Sequence, residues 1–431
     1  MELMEKISGA ENIAMAISKV KHNHGAPGID EMTVEELDSY FSEHGQQIIS
    51  EIRQMKYKPK PVKRVYIPKP DGNKRPLGIP CVVDRVIQQA VAQQLVRIYD
   101  KDFSNHSYGY RPNRDAQQAI KETLNYLNSG YQWVIDMDIK KFFDTVNQDK
   151  LISELRKRVE DRETLHLIRT FLKSGVLEDG LTSPSNQGVV QGSPLSPVLS
   201  NIYLDKLDKE LESRGLRFTR YADDTNVYVG SEKAANRVIK SLTGWIERKL
   251  LLKVNLTKTQ VVRPTKSNYL GFTYWKNGKE WKCKPRKQSK GKLYAKIQEY
   301  LKRNRAVARP IGETFTKVNQ IVRGWINYYQ MGSMKVFLDK FGQWLRHKIR
   351  VILIKQWKRP QRIYTNLQKL NKVQHCGFSH EDVFKVANSR LGWYRKCGMN
   401  VVNFILNPSI LEHKKKDRPG LINPLTYYLG S

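Results

Sequence analysis

Long apolar runs are missing from this chain: nowhere in its 431 residues do eighteen consecutive apolar side chains occur, which argues against a bilayer-spanning helix. Paired cysteines are missing too. Cys81, Cys283, Cys376 and Cys397 are scattered and never form a Cys-x-x-Cys pair, so neither a structural zinc site nor a small disulfide framework is expected. Free thiols in a reducing compartment are the simpler reading. The nine histidines are equally dispersed; the closest pair, His22 and His24, lies in a Gly-rich polar stretch without a third ligand nearby. The opening MELMEKISGAENIAMAI carries acids early, unlike a basic-then-apolar signal or an Arg/Ser-rich transit segment. A cytoplasmic protein is expected. Low-complexity tracts and internal repeats are absent, and aromatic residues make up 10% of the chain, so the composition is that of a folded protein with room for two or three domains.

What the chain has in excess is positive charge, a formal net +33, unevenly placed. Residues 276–431 hold 34 Lys and Arg against 8 Asp and Glu, a net +26, whereas residues 1–275 hold 41 against 34, a net +7. A basic C-terminal part on a nearly balanced N-terminal part calls for a polyanionic partner. Anionic membrane is one candidate and nucleic acid the other. Trp275, Trp281, Trp325, Trp344, Trp357 and Trp393 fall in the basic region or at its edge, and cations interleaved with rings suit bases and phosphates. Some of these rings are simply core.

Periodicity places the elements. Residues 1–60 read as helices broken at His24-Gly25-Ala26-Pro27-Gly28, with Val34, Leu37, Phe41, Ile48, Ile52 and Met55 at helical spacing. Val62 to Ile67 alternates like a strand and is followed by the turn Pro70-Asp71-Gly72-Asn73 and a second strand to Ile79, a hairpin with the basic residues Lys69, Lys74 and Arg75 at its tip. A helix is expected over Asp84–Ile98, a strand over Gln132–Ile139, a hairpin over Arg217–Val229 and a helix over Ser231–Leu252. The Lys/Gly-rich stretch 276–292 marks the best domain boundary. Beyond it come three helical patterns, the clearest with Phe315, Val318, Val322, Trp325 and Tyr329 in one core stripe.

Two acids, Asp136 and Asp138, share one face of the apolar strand, and uncompensated carboxylates there are costly. Asp223-Asp224 at the turn of the second hairpin repeats the oddity. Converging carboxylate oxygens suit hard divalent cations and two-metal phosphoryl transfer. An isolated Asp-Asp is more often just a good turn former, so the flanks decide. Tyr221-Ala222-Asp223-Asp224 resembles the YxDD box of reverse transcriptases. Asp138-Ile139-Lys140-Lys141-Phe142-Phe143-Asp144 resembles the first metal-binding strand of that family, and the spacing to Phe143 selects Asp138 over Asp136. Gln191-Gly192-Ser193-Pro194-Leu195-Ser196-Pro197 resembles its template- and nucleotide-positioning segment.

The resemblance narrows to the reverse transcriptase/maturase proteins of bacterial group II introns. Arg64 to Pro80 resembles their fingers hairpin, Ser107-Tyr108-Gly109-Tyr110-Arg111-Pro112 the next block, and Tyr269-Leu270-Gly271-Phe272 the primer-grip box. Arg323-Gly324-Trp325-Ile326-Asn327-Tyr328-Tyr329 and Lys355-Gln356-Trp357-Lys358-Arg359-Pro360 resemble the helical thumb, or maturase domain. This resemblance implies an α+β right-hand polymerase: fingers and palm with an antiparallel palm sheet over residues 1–275, a thumb over 276–360, and a small basic DNA-binding domain over 361–431. It implies an RNA-directed DNA polymerase that also binds intron RNA to assist splicing and mobility. Two magnesium ions would be held by Asp138, Asp223 and Asp224 with Ile139 beside them. Deoxynucleoside triphosphate would be gripped by Lys69 and Arg75, with Phe143 as a gate against the ribose 2′-hydroxyl, Gln191 in the nucleotide-positioning segment, and Lys258 as a proton donor to pyrophosphate. A solvated lysine is the plainer reading of Lys258, and a core phenylalanine that of Phe143; on a strand, Phe142 faces the other way and suits the core better. Template RNA, intron RNA and a DNA target or primer would meet Arg111, Lys302, Arg303, Arg305, Arg323, Lys358 and Arg359.

Departures from the family pattern are small. Val190-Gln191-Gly192-Ser193 stands where Pro-Gln-Gly-Gly is usual, and Thr225 follows the aspartates where an apolar residue or Cys is usual. The cysteine spacing provides no Cys/His endonuclease domain, as in class C introns. A free-standing relative recruited to host defence or repair, or a pure splicing cofactor, would share most of these features; the intact aspartates argue against the latter.

Overall fold

The computed structural model describes residues 2–68, 72, 74–178, 180–414 and 418–430. Contacts divide the chain between Tyr269 and Leu270, inside the Tyr-Leu-Gly-Phe box and slightly before the boundary expected at 275.

The first unit begins with α1 (Leu3–Ser8), α2 (Ala10–His22) and α3 (Leu37–Arg53), followed by the hairpin β1 (Val62–Pro68) and β2 (Lys74–Ile79). Next comes α4 (Val82–Tyr99), whose Val82, Val86, Ile87, Ala90, Val91 and Leu95 are fully buried. Asp84, Arg85, Gln88, Gln89 and Gln94 on the same helix are buried as well. A helix buried all round must satisfy such groups internally. Asp84 accepts from the Tyr57 hydroxyl at 2.7 Å, and Gln94 donates to Asn12 at 2.7 Å. α5 (Ala116–Asn128) starts at an Asp115 side-chain cap on the Gln118 N–H.

The strand β3 (Trp133–Met137) leads to the short helix α6 (Phe142–Thr145), then α7 (Gln148–Leu155) and α8 (Arg162–Leu172). The strands β4 (Val176–Glu178) and β5 (Leu181–Ser183) precede α9 (Ser196–Ser213). The hairpin β6 (Arg217–Tyr221) and β7 (Asp224–Val229) follows, then α10 (Glu232–Trp245) and β8 (Gln260–Val262). Two four-stranded sheets result. One has the order β2-β1-β4-β5, with β1 and β4 parallel. The other has the order β6-β7-β3-β8 and is antiparallel throughout. It is the palm sheet expected, and Ile135, Val227 and Phe218 on it are fully buried.

The second unit opens with the antiparallel hairpin β9 (Phe272–Asn277) and β10 (Glu280–Pro285). Its helices are α11 (Lys287–Tyr300), α12 (Arg303–Ala306), α13 (Ile311–Tyr329), α14 (Lys335–Trp357), α15 (Pro360–Gln374), α16 (His380–Asn388), α17 (Trp393–Cys397), α18 (Asn400–Ile405), α19 (Pro408–Glu412) and α20 (Pro424–Leu429). Phe315, Val318, Val322 and Ile326 of α13 are fully buried, so the stripe is core. The described residues beyond 360 fall in the same compact unit as those from Leu270 onward. The Asn319 amide donates to Gly420 O at 2.7 Å, the Ile422 N–H donates back to Asn319 Oδ1 at 2.8 Å, and the Tyr428 hydroxyl reaches Gly332 O at 2.9 Å. The C-terminal segment is thereby laced onto α13 and the turn before α14. All four cysteines are free thiols. No helix among the described residues is long and apolar enough to cross a membrane.

Candidate active site

The acids come together because two strands end at the same edge of the palm sheet. β3 and β7 pair with Asp136 opposite Asn226 and Met137 opposite Thr225, which sets Asp138 and Asp224 on one face just beyond the ladder. Tyr221 and Asp224 pair across the turn Ala222-Asp223. Ala222 has φ 58°, a left-handed position that usually takes glycine and costs another residue about 1 kcal/mol or more.

Asp138 is held from the far side of the sheet edge. Its Oδ2 accepts from Asn255 Nδ2 at 2.7 Å, and its backbone N–H donates to Thr259 Oγ1 at 3.1 Å. Asp136 has other partners: Ser267 Oγ donates to it at 2.8 Å and Gln260 Nε2 at 3.3 Å. Asp138 and Asp223, but not Asp136, line a cavity of ≈ 1330 Å³. Asp224 does not line the cavity; it shares a sheet face with Asp136 and Asp138.

Burial and the charge of Asp138 push the Asp223 carboxyl above the usual carboxylate range, opposed by Arg75 and Arg220. Asp224 keeps solvent contact. Surrounding protein nevertheless strips much of its hydration, and the carboxylates of Asp136, Asp223 and Asp138 add like charge, so its carboxyl is pushed up to about 8. Carboxylates that resist ionising beside one another favour a cation between them. Among the described residues no three acidic, His or Cys side chains converge closely enough to hold an ion by themselves. Magnesium does not require it, since it keeps several waters and takes other oxygens from substrate phosphates. The donor set fits that ion.

Much of the rest of the cavity wall is cationic or aromatic, with Asp144 and Glu178 as further acids. Arg64, Tyr66, Lys74 and Arg75 of the β1–β2 hairpin line it, as do Lys140, Lys141, Ile139, Phe142, Phe143, Gln191, Asn255 and Lys258. Ile139 itself is buried and bridges to Val254. Lys258 is exposed at the rim. Lys69 lies outside the described residues. The hairpin is rooted on the nucleotide-positioning segment: the Gly78 N–H donates to Gln191 O at 2.8 Å. Gly192, at φ 115°, packs so closely that an added Cβ would lie 2.5 Å from Gly78 O. Ser193, where glycine is usual, is accommodated; its hydroxyl donates to Gln88 at 2.8 Å and accepts from the Leu195 N–H at 3.2 Å. Thr225 is not. Its hydroxyl is buried with no hydrogen-bond partner among the described residues.

Two expectations need correcting. Phe142 and Phe143 do not alternate on a strand, because Lys141 turns left-handed at φ 48° and both rings enter α6. Both are buried, 5.2 Å apart and edge to face, and both line the cavity. Arg111 is not available to nucleic acid. Its side chain is 5% exposed and paired with Asp100 at 2.7 Å, and it also donates to the carbonyls of Asp100, Ser104 and Ser107. It is a latch for the 100–111 loop. Lys302, Arg303, Arg305, Arg323, Lys358 and Arg359 are exposed on the second unit, with Lys302 near Glu299 at 2.5 Å and Arg323 over the Tyr427 ring.

The sequence reading missed Asn255 and Thr259 as partners of Asp138, more than a hundred residues away. Only the mostly polar segment Asn255-Leu256-Thr257-Lys258-Thr259 after apolar Leu252 and Val254 hinted at them. Arg64 and Tyr66 were missed as cavity residues, though strand alternation, which puts them on the face of Lys74 in the paired strand, was a usable signal.

Comparison with known proteins agrees with this geometry. Residues 67–274 match the family described as reverse transcriptase (RNA-dependent DNA polymerase), and residues 290–372 match the group II intron maturase-specific domain. Protein YkfC of Escherichia coli K12 is 31% identical over 299 residues, 60% of this chain and 78% of that protein. The group II intron-encoded protein LtrA of Lactococcus lactis is 36% identical over 222 residues, 50% of this chain and 37% of LtrA. A putative COX1/OXI3 intron 1 protein of Saccharomyces cerevisiae is 31% identical over 269 residues, 61% of this chain and 31% of that protein. The chain thus spans most of the first relative but only about a third of each of the other two.

Proposed function

The chain belongs to the reverse transcriptase family that carries a group II intron maturase domain, and from that premise we propose that it copies RNA into DNA from deoxynucleoside triphosphates and binds group II intron RNA to assist its splicing and mobility. One observation carries the first half: Asp138 and Asp223 share a single cavity with the cations Lys74 and Arg75. Anionic triphosphate and the carboxylates would repel each other without an intervening cation.

Reverse transcriptases use divalent metal ions, and here Asp138, Asp223 and Asp224, with Ile139 beside them, would hold two magnesium ions. When bound, such ions activate the attacking 3′-hydroxyl and stabilise the leaving pyrophosphate. The chain's own residues do the rest. Arg75 and Lys74 pair with the triphosphate oxygens. Asn255 keeps Asp138 oriented through its 2.7 Å bond. Phe143 fills the space where a ribose 2′-hydroxyl would project, which selects deoxynucleotides. Gln191 fixes the nucleotide-positioning segment against Gly78. Lys258, exposed at the rim, supplies a proton to the departing pyrophosphate.

The second half rests on charge. The unit beyond Tyr269 carries the net +26 and exposes Lys302, Arg303, Arg305 and Arg323, a surface suited to a folded RNA. The experiment is primer extension on an RNA template with magnesium and deoxynucleotides, beside binding to intron RNA and to an unrelated structured RNA. No extension by the parent protein sinks the polymerase reading. Equal binding of both RNAs at every salt sinks the maturase reading. A host role in defence or repair would use the same chemistry; an intron RNA that folds around the reading frame separates the two.

A further inference from the structure

Three separated sequence blocks meet at one buried guanidinium. Arg220 of β6 is fully buried, and so is Asp208 of α9. The pair is bidentate, with Arg220 Nε donating to Asp208 Oδ1 at 2.7 Å and Nη2 to Oδ2 at 2.6 Å. Nη1 makes two further bonds, to Asn201 Oδ1 at 3.0 Å and to the Ala222 carbonyl at 2.8 Å. Asn201 lies seven residues before Asp208, on the same face of α9, and its amide donates to Gly109 O at 2.9 Å. Gly109 presses on the catalytic turn, where an added Cβ would lie 2.3 Å from Ala222 N. The backbone closes the ring: the Tyr108 N–H donates to Arg220 O and the Arg220 N–H to His106 O, both at 2.8 Å.

This arrangement is an odd way to fill a core. A buried ion pair is seldom more stable than apolar side chains of the same volume, so stability alone does not account for it. The fork of the guanidinium does. It reaches a carboxylate on one side and an amide oxygen and a backbone carbonyl on the other, which the single ammonium of lysine cannot. The carbonyl it holds belongs to Ala222, the one residue of the Tyr-Ala-Asp-Asp turn in the left-handed region. A carbonyl pinned from inside fixes the peptide plane that precedes Asp223. α9 starts immediately after the Gln191–Leu195 segment, so the same helix face ties that segment to the turn.

Resting on the polymerase reading, we infer that Arg220, clamped by Asp208 and Asn201, is a positioning residue that sets the direction of Asp223 by fixing the Ala222 carbonyl. It touches no substrate. Its loss should act on turnover and leave nucleotide binding, which belongs to Arg75 and Lys74, nearly unchanged.

The test replaces both charges together, R220M with D208L, so that no unpaired charge stays buried. The folded double variant should lose roughly 10- to 100-fold in kcat for primer extension, as a misplacement near 1 Å does, with the nucleotide KM within about threefold of the parent. Amide exchange should quicken at residues 221–225 and 106–110 and stay as in the parent along α10. A folded double variant with the parent's kcat overturns the inference. So does a loss of kcat matched by the loss of folded protein. Should the double variant fail to fold, R220K, which keeps the charge and loses the fork, carries the test: it should show the same kcat loss at unchanged KM, and full turnover overturns the inference. Inactivity of the parent would count against the polymerase reading alone, and the exchange pattern would still report on the clamp.

Discussion

The two units use charge in opposite ways. The first, nearly balanced at a net +7, places its functional charges in fixed geometry: Arg220 against Asp208, Arg111 against Asp100, Asp138 against Asn255. The second, at +26, stacks rings around a buried Phe341 instead. Tyr294, Trp325, Phe337, Phe341 and Trp344 form one aromatic cluster with centroids about 5–6 Å apart, while Lys302, Arg303, Arg305, Arg323, Lys358 and Arg359 stand in solvent and Arg350 and Lys396 are buried. A buried charge acts through direction, so one wrong atom matters. Exposed charges act through a summed field, so each contributes a share and salt weakens all of them. The first unit should therefore fail at single residues and the second only by degrees.

The largest effect should come at the carboxylates. Asp138→Asn, or Asp223→Asn with Asp224→Asn, should abolish primer extension while RNA binding stays near the parent's, because affinity comes from phosphate contacts elsewhere. Normal extension by Asp138→Asn would break the contrast at its root. The second unit should answer to salt. If about six to ten phosphates are contacted, RNA affinity falls by roughly three to five orders of magnitude between 50 and 200 mM salt. Lys302→Gln with Arg303→Gln and Arg305→Gln should lower the slope of log affinity against log salt by about three. A filter-binding titration that finds the slope unchanged would move the RNA contact off α12. Cutting the chain after residue 360 is a poorer test than its position implies, since it also strips the lacing of Asn319 and Tyr428 from the helices that remain.

Smaller effects sharpen the account of the first unit. Phe143→Ala should raise ribonucleotide use relative to deoxynucleotide by roughly 10- to 200-fold, the range a shaped apolar pocket commands. Because the ring is also core, its loss costs about 3–5 kcal/mol, so the ratio must be taken on folded protein; an unchanged ratio removes the gate. Arg111→Ala should destabilise by about 2 kcal/mol in urea, less than a fully buried pair because Asp100 keeps some solvent, and leave the salt slope of RNA binding alone. A lower slope would return Arg111 to the nucleic-acid surface. Thr225→Val should stabilise by about 1 kcal/mol, or raise Tm by roughly 2–4 °C, by removing a hydroxyl that has no partner. A loss of stability there would mean that the hydroxyl is bonded.

Much of the first unit was legible because its signals are local. Alternation fixed β3 and the β6–β7 hairpin, and the Pro-Asp-Gly-Asn turn marked β1 and β2. What escaped was set by contacts between distant residues. No pattern near Asp138 announces Asn255, and nothing around Arg111 tells a latch from a phosphate contact, since both need an arginine with free donors. Strand logic failed at Phe142 and Phe143 because one residue, Lys141, leaves the extended region and ends the alternation. In the second unit the core stripe of α13 was plain from its period. The return of the last residues onto that helix was not, because it is made by side-chain amides and carbonyls that carry no periodic signal.

The hairpin that lines the cavity is also the rim of a sheet. Among the described residues β2 pairs only with β1, and Gln191 covers it only at Gly78, so the backbone from Lys74 to Leu77 has an open side. Open strands recruit other chains unless charge or proline keeps them off. Lys74, Arg75 and Pro76 are such guards, with the two cations exposed. The residues that would grip the triphosphate would therefore also guard this edge against pairing with another chain. Neutralising Arg75 to weaken nucleotide binding would lower solubility at the same edge. Light scattering across a concentration series separates the two losses, since poor binding is independent of protein concentration and self-association is not.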